Sequence, residues 1–196
     1  MSNPFSQFNQ FLLQYGYAQE DLEQLNQMCS IVTFQKGDVI FNAGEKHNQI
    51  YFICKGIIRS FVVTQKDEIN TYNFRMENMI INAYSNYNYT DDLKALVNVG
   101  CLEDCIMVKI PLLAVKFMVD NFSMGDRVAR YLAEAHVIEL VHFIINRDTK
   151  SILDRYIDLE NRFPNIHQRV SQHIIASYLG TTPVHLSRVK KSRLNS

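Results

Sequence analysis

No run in this chain approaches the roughly 18 consecutive apolar residues that a membrane-spanning helix requires. Its start, Met1-Ser2-Asn3-Pro4, has neither the basic nor the apolar part of a secretory signal. A cytoplasmic protein with no membrane partner is therefore expected. Cysteine is sparse and badly spaced for chemistry. Of Cys29, Cys54, Cys101 and Cys105, only the last two are close, and they do not form a CxxC pair. No cysteine and histidine grouping has zinc spacing. An iron–sulfur centre wants about four convergent thiolates. Histidine is equally scarce where strands are expected, His47 being the only one. A metal enzyme on a β-barrel needs two or three histidines and a glutamate converging from neighbouring strands. No metal, no cofactor and no catalysis are expected. Internal repeats and low-complexity stretches are also lacking.

What is present is ample apolar material. Apolar residues make up 47% of the chain, with 12 Phe and 10 Tyr, enough to build a core and to exclude general disorder. The net charge of zero hides an asymmetry. Residues 1–146 carry 11 basic and 16 acidic side chains, a net of −5, and residues 147–196 carry 9 and 4, a net of +5. From His167 onward there are basic residues and no acidic one. A basic end on an acidic body is the pattern of a nucleic-acid contact surface.

The apolar period changes along the chain. Residues 5–29 recur at helical spacing through Phe5, Phe8, Phe11, Leu12 and Tyr15, then Leu22, Leu25 and Met28. From Ile31 to Ile110 short β-rich runs alternate with turn residues: 31–34, 39–41, 49–54, 57–63, 70–74, 79–84, 95–99 and 105–110. Strands so closely spaced leave no room for crossover helices and suggest an antiparallel sandwich or barrel. Pro111 opens the next helical stretch. A long helix follows over about 124–146. In it Met124, Val128, Tyr131, Ala135, Ile138, His142 and Ile145 step by fours and threes, a heptad-like stripe suited to a second subunit. A neighbouring stripe, Leu132, His136, Leu140 and Phe143, would then face the barrel. A long helix inside a monomeric core fits that segment equally well. A further helix over 150–162 ends before Pro164.

The most informative stretch is 170–191. Ser171 is placed to N-cap a helix whose apolar face is Ile174, Ile175, Tyr178 and Leu179. Gly180 stands where a helix end favours the left-handed conformation. Thr182 is placed to cap a second helix, with Pro183 at its first position. Leu186 and Val189 turn back toward the first helix, which leaves Val184, His185, Ser187, Arg188, Lys190 and Lys191 outside. Two short helices about a tight glycine turn, the second basic outside, make a helix-turn-helix for double-stranded DNA. Arg188 suits a guanine edge. Lys190, Lys191 and Arg193 suit phosphates, as do Ser171 and Gln172 at the start of the first helix.

Taken together, Ile175-Ala-Ser-Tyr-Leu-Gly180, Pro183-Val-His-Leu-Ser-Arg188, Phe34-Gln-Lys-Gly-Asp-Val-Ile-Phe41, Gly44-Glu45 and Ile50-Tyr-Phe-Ile-Cys-Lys-Gly56 resemble the Crp/Fnr family of bacterial regulators. The resemblance implies an α+β chain. Residues 1–122 would form N-terminal helices and a jelly-roll, cyclic-nucleotide-binding-like sensor. Residues 123–147 would form a dimerisation helix, and residues 148–196 the DNA-binding domain. It implies a homodimeric transcription regulator on a palindromic operator, with RNA polymerase a further candidate partner. A signal would act by shifting the population between two packings of the helix-turn-helix.

Two departures qualify what the resemblance implies. Members that bind cyclic AMP carry a Gly-Glu pair and, further on, an arginine for the cyclic phosphate. Here Ile81 and Asn82 stand at the pair and Leu93 near the arginine. Lys94 is adjacent, but on a strand it would point to the opposite face. Losing such a charge-assisted pair typically costs on the order of 2–5 kcal/mol, so cyclic AMP is not expected to bind. Ile81, Asn82, Ala83, Tyr84, Leu93, Lys94 and Tyr131 are candidates to line a pocket for another small-molecule effector, the alternative being a solvated loop. The second departure is that few residues follow Arg193, so no β-hairpin wing is expected. Val184 also stands where many members carry a polar base-reading residue. Both leave open an effector-sensing or protein-interaction module whose helix-turn-helix no longer binds DNA.

Overall fold

The computed structural model describes residues 3–81 and 94–194. The chain divides into two compact units, residues 1–60 with 74–133 and residues 61–73 with 134–196.

The first unit opens with two helices, α1 (Pro4–Gln14) and α2 (Gln19–Met28). Asn3 caps α1, its side chain accepting from the Phe5 N–H at 3.0 Å, and Pro4 takes the first position. The helical stretch is broken at Gly16, which holds φ +88°. Eight strands follow: β1 (Ser30–Phe34), β2 (Val39–Phe41), β3 (Gln49–Lys55), β4 (Ile58–Val63), β5 (Ile69–Arg75), β6 (Ile80–Ile81), β7 (Asn98–Cys101) and β8 (Cys105–Pro111). They form two four-stranded sheets ordered β1-β8-β3-β6 and β2-β7-β4-β5. Every register resolved is antiparallel, as in Tyr51 opposite Lys109 and Ile31 opposite Val108. This agrees with the antiparallel sandwich expected from the strand spacing and with the jelly roll that the resemblance implied. The strand expected at 95–99 lies about three residues later. Ala95 is instead tied to the Gly44-Glu45 turn, where its N–H donates to the Glu45 carbonyl and its carbonyl accepts from Gly44 N–H, both at 2.8 Å.

Strand period explains how two cores share β3 and β8. Tyr51, Ile53, Cys105 and Met107 face the sandwich interior with Phe41, Ile58, Ile81 and Val99. Phe52, Val108 and Ile110 point the other way, onto Phe8, Leu12, Leu22 and Leu25 of α1 and α2. The same helical layer takes Ala114 and Met118 from α3 (Leu112–Asn121), then Phe122, and Val128 from α4 (Gly125–Thr149). Both faces of β3 are buried, which is why Ile50-Tyr51-Phe52-Ile53-Cys54 is apolar without alternation.

The second unit contains the later turns of α4, then α5 (Ile152–Arg162), α6 (Ile166–Arg169), α7 (Gln172–Tyr178) and α8 (Pro183–Leu194). Tyr156, Leu159, Phe163, Ile166, Val170, Ile175, Ala176, Leu179 and Leu186 are buried. Each fully buried side chain of this size stabilises by about 1.5–3 kcal/mol relative to exposure. The β4–β5 hairpin tip belongs to this unit and is pinned to α7. The Ser177 hydroxyl donates to the Ile69 carbonyl at 2.9 Å and accepts from the Thr71 N–H at 3.0 Å. None of the described helices is long and apolar enough to cross a membrane.

Candidate nucleic-acid interface

The turn between α7 and α8 is built as the residue types dictate. Gly180 adopts φ +66° immediately past α7. Its N–H donates to the Ser177 carbonyl at 3.1 Å, and the Thr181 N–H to the Ala176 carbonyl at 2.9 Å, which satisfies carbonyls left open at the helix end. Thr182 caps α8, its hydroxyl accepting from the His185 N–H at 3.2 Å. Pro183 opens α8, where a missing N–H costs nothing. Leu186 is buried, and Val189 half-buried, on the inner side. Ser171 takes the N-cap backbone conformation of α7, but its hydroxyl makes no capping bond.

The outer side of α8 is less uniform than the pattern suggests. Val184, His185, Arg188 and Lys191 are exposed, as is Thr182 at the cap, while Ser187 is half-buried. Lys190, expected outside, is half-buried. Its ammonium lies 5.0 Å from the centre of the Tyr156 ring, an attraction between a cation and the ring face, and so it is engaged on α5 instead of standing beside Lys191. Gln172 is likewise occupied, since its amide donates to the Pro183 carbonyl at 2.8 Å and fastens the start of α8 to the start of α7. The stretch therefore places Arg188 and Lys191 together on an open helix face and removes Lys190 from it.

The subunit stripe expected on α4 needs a larger correction. Met124 packs on the helical core of the first unit, and Val128 is buried in it, which leaves Val128 no surface for a second chain. Leu132 packs there too, and the Tyr131 ring, half exposed, stands 5.6 Å from the Tyr15 ring. Ala135 and His142 line a cleft within the second unit. Ile138 and Ile145 are exposed as expected, but the open apolar face centres on Val141, with Val137 and Ile144 on its other flank. The same threes and fours link Val137, Val141 and Ile144. With apolar residues on nearly every side of the helix, the sequence carries no marker of phase.

Of the effector-pocket candidates, Ile81 is buried in the sandwich core, and Lys94 is exposed, its backbone bridged to Lys46. Asn82, Ala83, Tyr84 and Leu93 lie outside the described residues. No group of three or more His, Cys, Asp or Glu placed to hold a metal ion occurs among the described residues. The four thiols are free. Burial raises Cys29 to about 12 and Cys54 to about 11. Cys101 and Cys105 share a buried hydrogen bond that, with burial, holds Cys101 protonated far above the ordinary thiol range. The same bond lowers Cys105, while Cys29, Cys54 and Cys101 are held neutral.

Residues 31–121 match the cyclic nucleotide-binding domain family. The matched segment runs from β1 to the end of α3. No curated protein matches the chain. Among solved structures, FixK2 from Bradyrhizobium japonicum matches with a TM-score of 0.72 at 12% identity, over 84% of this chain and 83% of that one. A protein from Eubacterium rectale described as a transcriptional regulator of the Crp/Fnr family matches with a TM-score of 0.72 at 14% identity, over 94% and 87%. The c-di-GMP responsive global regulator CLP of Xanthomonas campestris matches at 0.67 and 11%, over 91% and 92%. At these identities the likeness is one of fold. Residues 31–121 thus match a cyclic nucleotide-binding domain model, and the chain shares the fold of these solved structures.

Proposed function

We propose that this protein is a transcription regulator that binds double-stranded DNA as a homodimer, on a palindromic operator, without control by cyclic AMP. The observation that carries the reading is Arg188, exposed on α8 beyond a helix-turn-helix closed by Gly180, Thr182 and Pro183. A recognition helix presents such residues to base edges in the major groove. The open face of α4 at Val141 supplies the surface for the second copy. Thr182, His185 and Ser187 lie nearest the bases in this reading, with Ser171 and Lys191 toward phosphates and RNA polymerase as a further partner. Independence from cyclic AMP rests on Asn82 and Leu93 in the sequence. A calorimetric titration with cyclic AMP is expected to show no heat, and micromolar binding contradicts it.

The test is selection from a random duplex library with the full chain. Enrichment of two half-sites about one helical turn, roughly 34 Å, apart is expected, and Arg188→Ala should abolish it. Val184, 62% exposed at the start of α8, favours a second reading, an interaction module that no longer reads bases. Failure to enrich any duplex, from a folded dimer, moves that reading to the front.

A further inference from the structure

The second unit contains a cleft of about 500 Å³ walled by α4, α5 and α7. That volume lies within the roughly 300–1,000 Å³ of small-molecule sites. Its charged groups are paired with one exception. Lys150 Nζ meets Asp158 at 2.7 Å, and Arg162 pairs with Glu139. Arg155 has no carboxylate. Its Nε is buried without an acceptor, and its Nη1 lies 4.0 Å from where a Cβ on Gly180 would stand, beneath the helix-turn-helix turn. Burial lowers its pKa, and Arg147 nearby lowers it further, so the surroundings withhold compensation from this cation. The guanidinium is only half-buried, but its buried Nε donor is left unmet, and such groups are rarely left so without a role. Apolar side chains line the same cleft. The rings of Phe143 and Tyr178 sit 5.7 Å apart, and the buried Leu159 lies beside them.

We infer that this cleft binds a small organic anion, its phosphate or carboxylate held by Arg155 and its flat apolar body laid against Phe143 and Tyr178. The guanidinium supplies a forked donor of the geometry that oxyanions accept. The surrounding ion pairs leave one positive charge to be met, so a single anionic group suffices. Double-stranded DNA fits the concave cleft poorly, and the site is distinct from the Arg188 face. The inference does not depend on DNA binding.

The test is a titration of the ¹⁵N-labelled full chain, without DNA, followed at the arginine Nε–Hε resonances. Phenyl phosphate, benzoate and inorganic phosphate are the probes. The Arg155 resonance, assigned through its own backbone, should move saturably with phenyl phosphate or benzoate. Inorganic phosphate should bind at least about ten-fold more weakly, a difference of about 1.4 kcal/mol. Phe143→Leu should narrow that gap, and Arg155→Lys should abolish saturation. Because the primary readout is on the unsubstituted protein, loss of fold in a variant does not blunt it. An Arg155 resonance that stays still while others shift overturns the inference. So does equal, unsaturated movement with all three anions.

Discussion

Glycines mark where single residues carry the architecture. Gly56 holds φ +114° between β3 and β4, and a Cβ there would lie 2.4 Å from Cys105 Sγ and 3.0 Å from its Cα. Gly56→Ala combines left-handed strain with overpacking against backbone and should cost about 3 kcal/mol or more. Gly180→Ala meets open space, with Arg155 Nη1 at 4.0 Å, and should cost only the backbone strain of about 1–2 kcal/mol. Urea unfolding of the two variants checks the order, and equal losses would mean that the clash at Cys105 relaxes freely. The half-buried Cys29 thiol gives stability a pH dependence of known sign. Cys29 ionises near 9.0 when free and at about 12 in the fold. Its contribution is complete below pH 9.0 and is lost as pH rises toward about 12, because the unfolded chain ionises first. The urea midpoint should fall between about pH 8 and about pH 10.5, and fall less in Cys29→Ala.

At the level of the element, α8 shows how one helix divides its charges. Lys190 and Lys191 are neighbours in sequence but point about 100° apart, and only Lys190 reaches the Tyr156 ring. On a selected duplex, Lys191→Ala should reduce the slope of log affinity against log salt by about 1. Lys190→Ala should leave the slope unchanged and lower the unfolding midpoint through the lost ring contact, worth about 0.5–1 kcal/mol. Equal slope changes for both lysines would put Lys190 back on the phosphate side. The two-way bond of Ser177 to Ile69 and Thr71 has a similar economy. One hydroxyl satisfies a donor and an acceptor of the hairpin while remaining in the first helix of the helix-turn-helix.

For the whole molecule the decisive feature is the phase of α4. Its first turns are taken up by the core of the first unit at Val128, and the face around Val141 is left to solvent with Val137, Ile138, Ile144 and Ile145. An open apolar stripe on one long helix marks an interaction surface. Val141→Glu should convert a dimer to monomers in sedimentation equilibrium with the fold intact. Val128→Ala should leave association unchanged but destabilise the first unit by about 0.5–2 kcal/mol or more for the methyl groups removed. A dimer that survives Val141→Glu places the subunit contact elsewhere.

The order of parts was legible from residues alone. Short β-rich runs across 31–110 with Gly37, Gly44 and Gly56 between them mark the strands, because turn sterics act locally, whereas Gly100 lies inside β7. The helix-turn-helix was legible for the same reason, its caps, glycine and proline each being a local conformational demand met within three or four residues. The phase of α4 was not legible. Val137, Ile138, Leu140, Val141, Phe143, Ile144 and Ile145 surround the helix so fully that only the partners it meets decide which face is spent. The same holds for Lys190 and Arg155. Only packing shows that Lys190 lies over a ring and that the Nε of Arg155 is buried without an acceptor. Local demands are written in neighbouring residues, and the choice among equivalent faces depends on contacts between residues far apart in the chain.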